Sequence, residues 1–196
     1  MSDDASRMDD EGGGQAPHLK DDYNSIGRAK TGSTNVWLTP DYILKWVHKE
    51  FGFVGLDAAA DVDNAVAIHY IDEYMDALVT PWNSNDIVWC NPPYGKEAKK
   101  FVERAIDQVE KKNCSKVVML LAVRTDTKMF QELIFPRASR IHFIKGRVKF
   151  KRAGKTRPDE RPNFASAIVV FTDPLPDPIG LGSSSLAPYV TYGSVN

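Results

Sequence analysis

The chain of 196 residues is poor in cysteine and has no long hydrophobic run. Its two cysteines, Cys90 and Cys114, form no CxxC pair and have no histidine pair nearby, which argues against a metal site and a disulfide framework. The longest apolar run, residues 117–123, is far short of the roughly 20 residues of a membrane helix, so we expect no membrane association. The N-terminus opens acidic, so we expect no signal peptide and a reducing cytoplasm as the location.

Charge is nearly balanced over the whole chain but is unevenly distributed along it. Lys and Arg number 25 and Asp and Glu 26, for a net charge of −1. Residues 1–35 carry seven acidic and four basic side chains, whereas residues 137–161 carry ten basic and two acidic ones. Such a basic stretch is the electrostatic footprint of a nucleic-acid-binding protein, although a solvated surface hairpin would show the same charge.

Composition divides the chain into one folded domain and two extensions. Residues 1–30 combine scattered acids with three consecutive glycines, which is typical of a flexible acidic tail. Residues 174–196 are rich in proline, glycine and serine and predict a C-terminal extension without regular structure. The domain between them, residues 35–173, is long enough for a single core.

Helix and strand patterns alternate along this domain. Strands are predicted at residues 53–57, 65–71, 87–90, 117–123, 141–144 and 167–171, and helices at residues 40–51, 98–111 and 129–135. Thr39 is the predicted N-cap of the first helix, with Pro40 at its first position. The alternation predicts an α/β fold with a mostly parallel sheet and a C-terminal antiparallel hairpin, whose basic part spans about residues 145–163. The continuous apolar run at residues 117–123 indicates a central strand that is covered on both faces.

The strand at residues 87–90 is followed directly by Asn91, Pro92, Pro93 and Tyr94. Two prolines fix the backbone and remove two donors, so the Asn91 side-chain oxygen and the Pro92 carbonyl can converge on one amino group. Tyr94 adds an aromatic face on which a base can stack. Two acceptors that hold the hydrogens of an exocyclic amine would expose its conjugated lone pair. The alternative is a plain Asx-Pro turn that ends a strand.

Five blocks occur in one order along the domain and carry a family resemblance. They are residues 37–40 (WLTP), 51–60 (FGFVGLDAAA), 89–95 (WCNPPYG), 120–127 (LLAVRTDT) and 144–150 (IKGRVKF). The series resembles the phage-type DNA N6-adenine methyltransferase (Dam) family over residues 35–172. The resemblance implies a Rossmann-like domain that uses S-adenosylmethionine to methylate an adenine flipped out of double-stranded DNA, with Asn91, Pro92, Pro93 and Tyr94 as the catalytic motif.

The resemblance also implies a cofactor site at the ends of the first strands. Asp57 takes the place of the motif aspartate near the ammonium of S-adenosylmethionine. The carboxylates of Asp72 and Glu73 could accept from the ribose hydroxyls and that of Asp76 from the adenine amine; an acidic solvated turn is the alternative for these three. The usual glycine-rich loop is missing, since alanines follow Asp57. The implied cofactor residues are Trp37, Thr39, Pro40, Asp57, Ala58, Asp72, Asp76 and Asn91.

The DNA contacts are expected from one loop and from the basic hairpin. Arg124, at the end of the central strand, either contacts a phosphate or forms an ordinary surface salt bridge. Phosphate contacts from the hairpin would supply affinity and salt dependence rather than sequence choice. Phe150 and Phe164 are either core residues or wedges for the flipped base. The expected DNA-binding residues are Arg124, Lys145, Arg147, Lys149, Lys151, Arg152, Lys155 and Arg157.

Three other functions stay open at the level of sequence. The acceptor can be cytosine N4 in DNA, since the motif suits either base. RNA or a protein glutamine is disfavoured by the basic segment. A catalytically silent DNA-binding or decoy protein would keep the fold, although the intact motif speaks against it. No metal is implied. The sequence leaves the oligomeric state open, with a monomer slightly favoured. It also leaves the recognition sequence open, although the small size of the domain suggests a short or relaxed specificity.

Overall fold

In the computed structural model, residues 37–152 and 163–174 are described, and they form a mixed α/β fold. The strands are β1 (Trp37–Leu38), β2 (Val54–Asp57), β3 (His69–Tyr70), β4 (Ile87–Cys90), β5 (Lys116–Ala122), β6 (Arg140–Phe143), β7 (Lys151–Arg152) and β8 (Ser166–Thr172). The helices are α1 (Asp41–Phe51), α2 (Glu97–Glu110), a π-helix (Met129–Ile134) and the short α3 (Phe135–Arg137) that continues it. Within these residues, no helix combines the length and the apolar character needed to cross a membrane.

Six of the strands form one sheet in the order β3-β2-β4-β5-β8-β6. The pairs β2 with β3, β2 with β4 and β4 with β5 are parallel, whereas β8 runs antiparallel to both β5 and β6. The two strands that flank the basic segment, β6 and β8, are therefore neighbours in an antiparallel pair. This arrangement confirms the predicted α/β class.

Helices cover both faces of the sheet and close two hydrophobic cores. Helix α1 packs through Ile43 and Val47 on one face, while α2 and the π-helix pack on the other. Successive residues of β5 point to opposite faces, so that Met119 joins the core under α2 and Leu120 joins the core under α1. The prediction of a central strand buried on both sides is confirmed.

Two predicted elements differ from the structure in extent or type. Within residues 65–71, where a full strand was predicted, only the two residues of β3 are in a strand. Ile68, directly before β3, is 88% exposed and does not pack against the sheet. At residues 129–135 the predicted helix is present, but as a π-helix up to Ile134. Pro136 follows in the first turn of α3, and it has no amide hydrogen to continue a regular ladder.

Several predicted segments lie outside the described residues. These are the acidic tail at residues 1–30, residues 153–162 of the basic hairpin, and residues 175–196 of the C-terminal extension. The described part of the basic segment contributes β7, which pairs antiparallel with β1 in a separate two-stranded sheet. The basic segment is therefore joined to the strand that leads into α1.

The carboxyl ends of β2, β4 and β5 lie at the same edge of the main sheet. Asp57, the last residue of β2, is in register with Trp89 of β4, and Cys90 at the end of β4 is in register with Met119 of β5. From β2 the chain first forms β3 on one side and then β4 on the other side. In α/β sheets a crevice opens where the order of the strands reverses in this way, and ligands bind there.

Candidate active site

The predicted catalytic motif leaves β4 directly and leads into α2. Asn91 is half-buried, Pro92 is buried and Pro93 is exposed. Gly95 has a φ of +103°, a conformation that favours glycine, and it turns the chain towards the helix. The two prolines have a fixed φ, so the loop is stiff, and they have no amide hydrogen. The loop therefore has fewer backbone donors than carbonyl acceptors.

The Asn91 amide contacts two side chains that orient it. Its Nδ2 donates to Thr39 Oγ1 at 3.4 Å, and the Tyr94 hydroxyl donates to its Oδ1 at 3.3 Å. The prediction that Thr39 is the N-cap of α1 is wrong. Pro40 takes that position, since its ψ of 141° is extended and α1 begins at the next residue. Trp37 lies in β1, just before this contact. The Asn91 amide group thus has a defined orientation, with Oδ1 on the side of Tyr94.

Tyr94 is held by two aromatic rings from the segments around β7 and β8. Its ring centroid lies 4.9 Å from that of Phe164 and 5.8 Å from that of Phe150, with interplanar angles of 62° and 68°. These are edge-to-face contacts, which fix a ring more firmly than burial alone. Burial raises the pKa of the Tyr94 phenol well above its ordinary value, so the hydroxyl stays protonated and remains a donor to Asn91 at neutral pH.

Asp57 places a buried carboxyl group at the end of β2. The residue is 2% exposed, and its Oδ1 and Oδ2 accept hydrogen bonds from the amides of Ala59 at 3.2 Å and Val66 at 3.1 Å. Burial raises the pKa of Asp57 to about 6; the two amides oppose this shift and the charge of Asp61 adds to it. Above pH 6 the Asp57 carboxylate is therefore mostly ionised although it is buried, and a buried charge is stabilised by a cationic partner.

The other expected cofactor residues lie around the same edge. Ala58 is fully buried and its amide donates to a carbonyl of β4 at 2.8 Å, which ties the ends of the two strands together. Asp72 follows β3 and is half-buried, and its Oδ1 accepts from the Met75 amide at 2.9 Å. Asp76 is exposed with a φ of +52°, and its Oδ1 accepts from the Leu78 amide at 2.9 Å. Both carboxylates shape the turn that follows β3.

Arg124 comes two residues after β5 and is exposed. Its side chain lines a cavity of about 680 Å³ together with Tyr94 and Phe164. The end of β5 and the loop that follows Asn91 therefore face one space. Its backbone carbonyl accepts from both the amide and the hydroxyl of Thr127, at 3.0 and 2.7 Å, which closes the loop after β5.

The basic segment presents a charged face to solvent. Lys145, Arg147 and Lys149 are exposed. From Arg147 onwards these basic residues alternate with the buried side chains of Val148 and Phe150. The next two basic residues, Lys151 and Arg152, form β7. The expected Lys155 and Arg157 lie outside the described residues.

Cys90, directly before the motif, packs in the core. It is fully buried, and burial, followed by the charge of Asp57, raises the pKa of its thiol well above the ordinary value. Across residues 37–152 and 163–174, no three His, Cys, Asp or Glu side chains come together as a group that could hold a metal ion.

Sequence reasoning did not connect Thr39 with Asn91, because 52 residues separate them.

We expect Thr39→Val to lower turnover two- to tenfold, since one hydrogen bond of about 0.5–1.5 kcal/mol that orients the amide is lost. The measurement is kcat for the reaction proposed below, with thermal melting as a check on the fold. Thr172→Val, at the opposite end of the sheet, is the matched control and should leave kcat unchanged.

Comparison with known proteins identifies the family of the chain. The family model described as DNA N-6-adenine-methyltransferase (Dam) matches residues 27–193 of the chain. A protein of Escherichia phage T1 described as DNA N-6-adenine-methyltransferase is 34% identical over 98 residues, which cover 50% of this chain and 40% of that relative. The match to the phage protein thus spans less than half of its length. The family model covers the whole of the domain at residues 35–173, and the chain belongs to the DNA N-6-adenine-methyltransferase (Dam) family.

Proposed function

We propose that the protein transfers a methyl group from S-adenosylmethionine to the N6 amine of an adenine that is flipped out of duplex DNA. The observation that carries the proposal is the oriented Asn91 amide. It sits at the carboxyl end of β4, between Thr39 and Tyr94 and beside the strand that ends in Asp57. A stiff loop with an amide oxygen, a proline carbonyl and an aromatic ring suits a planar base that carries an amino group.

The order of the strands supports a Rossmann-like arrangement for this domain. Asp57 ends β2 and Asn91 follows β4, and the strand order reverses between these two strands. The crevice outside the carboxyl ends of such strands is the usual ligand site of doubly wound α/β folds. One crevice would then hold the methyl donor on the β2 side and the acceptor base on the β4 side.

The residues at this edge fit S-adenosylmethionine by their chemistry. Each oxygen of the buried Asp57 carboxylate accepts one hydrogen bond from a backbone amide. The remaining lone pairs can accept hydrogen bonds from an ammonium group. Oδ2 of Asp72 is available for a ribose hydroxyl, since the turn after β3 uses Oδ1. When bound, S-adenosylmethionine supplies an electrophilic methyl group on a positively charged sulfur.

The reaction itself asks the protein for positioning rather than for acid–base chemistry. Asn91 Oδ1 and the Pro92 carbonyl would accept the two hydrogens of the amine, which draws its lone pair out of conjugation with the ring. Tyr94 would stack on the base while its hydroxyl keeps Oδ1 in place. The methylated nitrogen is acidic and loses its extra proton to water, so the site needs no general base.

Duplex DNA would be held by the exposed cations beside the site. Lys145, Arg147 and Lys149 share one charged stretch, and the strand after it pairs with β1, which leads to Thr39. Phosphate contacts of this kind give affinity without sequence information. With DNA as its substrate, the protein is expected to act in the cytoplasm of a bacterial host.

Incubation with tritiated-methyl S-adenosylmethionine and unmethylated duplex DNA, followed by nucleoside analysis, tests the proposal. We expect the label in N6-methyladenine. Label in N4-methylcytosine would keep the geometry of the amine site and move the acceptor to cytosine. Tight DNA binding without label in any nucleoside would overturn the proposal in favour of a silent DNA-binding protein.

A further inference from the structure

The cavity beside Tyr94 carries a set of charges that the catalytic motif does not use. Its volume of about 680 Å³ lies within the roughly 300–1,000 Å³ of small-molecule sites. Apolar side chains from the end of β5 and from the π-helix, Leu121 and Met129 among them, form its interior. Four basic residues also line it, and no acidic residue does: Lys96, Lys99, Arg124 and Lys128.

Three of these four cations have no ion-pair partner within residues 37–152 and 163–174. Lys99 pairs with Glu103 at 3.4 Å, and the neighbouring Lys100, which does not line the cavity, pairs with Glu97 at 3.2 Å. Lys96, Arg124 and Lys128 line the same space without such compensation. Lys96, Arg124 and Lys128 are exposed at the rim of one cavity. Like charges gathered there repel each other, and an anion at the cavity would relieve that repulsion.

The backbone adds to the positive potential at the same place. Lys96 is the N-cap of α2, a helix of 14 residues, and its side chain makes no capping hydrogen bond. The amide groups of the first turn of a helix lack partners within the helix, and the helix dipole places partial positive charge there. A lysine at this end opposes the helix dipole, and Glu97, the acid of the first turn, pairs with Lys100 rather than with Lys96.

We propose that Lys96, Arg124 and Lys128 form a phosphate clamp for the target strand of DNA. The inference rests on the proposed function and adds a binding site to it. The Tyr94 hydroxyl contacts Asn91 and Tyr94 also lines the cavity, so a base stacked on the Tyr94 ring would bring its own backbone towards these three cations. The ligand is the phosphodiester next to the flipped nucleotide, held as a point charge by the two lysines and as a fork by the arginine.

The test compares Lys96→Gln/Lys128→Gln with Lys100→Gln as the matched control. Binding of a duplex is measured by fluorescence anisotropy over a range of salt concentrations. The clamp neutralises one phosphodiester, and one neutralised phosphate contributes about 1 to the slope of log K against log [salt], so we expect a slope lower by about 1 when two of the three cations are removed. The control removes a cation from the same helix outside the cavity, and its slope should match that of the wild type.

A neutral linkage in the DNA locates the contact. A methylphosphonate is placed at the phosphodiester on either side of the mapped target base. For one of the two positions we expect binding by the wild type to weaken about tenfold. The double variant should show a clearly smaller loss, because two of the three cations that hold this phosphate are already gone.

Two other outcomes are distinguishable. If the wild type methylates DNA and the double variant keeps the full salt slope and the full sensitivity to the methylphosphonate, the clamp is wrong and the proposed function stands. If the wild type neither binds nor methylates duplex DNA, the proposed function fails and the clamp fails with it.

Discussion

Replacing Asn91 by alanine is expected to lower kcat for methyl transfer by about a thousandfold or more. The amide oxygen is one of two acceptors for the amine hydrogens, and loss of one such preorganised group costs two to three orders of magnitude in other enzymes. Tyr94 also loses the acceptor of its hydroxyl, and Thr39 loses its donor, so the loop is less well ordered around the base. The measurement is single-turnover transfer of labelled methyl to DNA.

Binding of S-adenosylmethionine by the Asn91→Ala variant should stay within a few-fold of the wild type, because Asp57 is intact. Asn85→Ala is the matched control: Asn85 is exposed and precedes β4, at the opposite end from Asn91. Its turnover should be that of the wild type. Wild-type turnover in Asn91→Ala would remove the amide from the mechanism.

Binding of S-adenosylmethionine is expected to be about tenfold weaker at pH 5 than at pH 7. Burial raises the pKa of Asp57 to about 6, and a cationic ligand requires the ionised carboxylate. Affinity therefore rises as the pH rises through 6 and levels off above it. Equilibrium dialysis with labelled S-adenosylmethionine, from pH 5 to pH 7, measures the effect directly.

The variant Asp57→Asn should remove that pH dependence and weaken binding at pH 7 by ten- to a hundredfold, the usual cost of losing a hydrogen bond to a charged group. Asp86→Asn, an exposed residue before β4, is the control and should leave both unchanged. Identical affinities for Asp57→Asn and wild type at every pH would exclude Asp57 from the cofactor site.

The same carboxyl group works against the ligand-free fold. An unperturbed aspartate has a pKa of 3.8, and in the folded chain burial raises the pKa of Asp57 to about 6. Between these values the native state binds more protons than the unfolded state, so the free energy of unfolding falls as the pH rises through this window. Above pH 6 the loss amounts to about 3 kcal/mol. A buried acid that destabilises the fold is typical of a binding site, where its ligand compensates for it.

Elements with strong local patterns could be predicted from the sequence. Strand β4 is a short apolar run stopped by two prolines, and it was predicted at residues 87–90, where the structure has it. Strand β5 and helix α2 were predicted to within one residue at each end. In all three, the apolar pattern and the residues that end it act over a few neighbours, which is the range that sequence reasoning covers.

Patterns that depend on distant partners were predicted less well. The apolar residues at 65–71 suggested a full strand, yet β3 has two residues and Ile68 points to solvent. Likewise Thr39 has the sequence of an N-cap, but its hydroxyl accepts from Asn91 and Pro40 caps α1. A local preference of about 1 kcal/mol yields to tertiary contacts of similar size.

The sequence by itself determined the order of the elements, the Asn-Pro-Pro-Tyr motif after β4 and the aspartate at the end of β2, because each depends on residues a few positions apart. Only the tertiary structure placed Thr39 on Asn91, set the rings of Phe150 and Phe164 against Tyr94, and gathered the uncompensated cations around one cavity. The physical reason is that the register of the parallel strands brings their carboxyl ends to one edge. Loops far apart in the chain thereby share one site, at distances that no local pattern encodes.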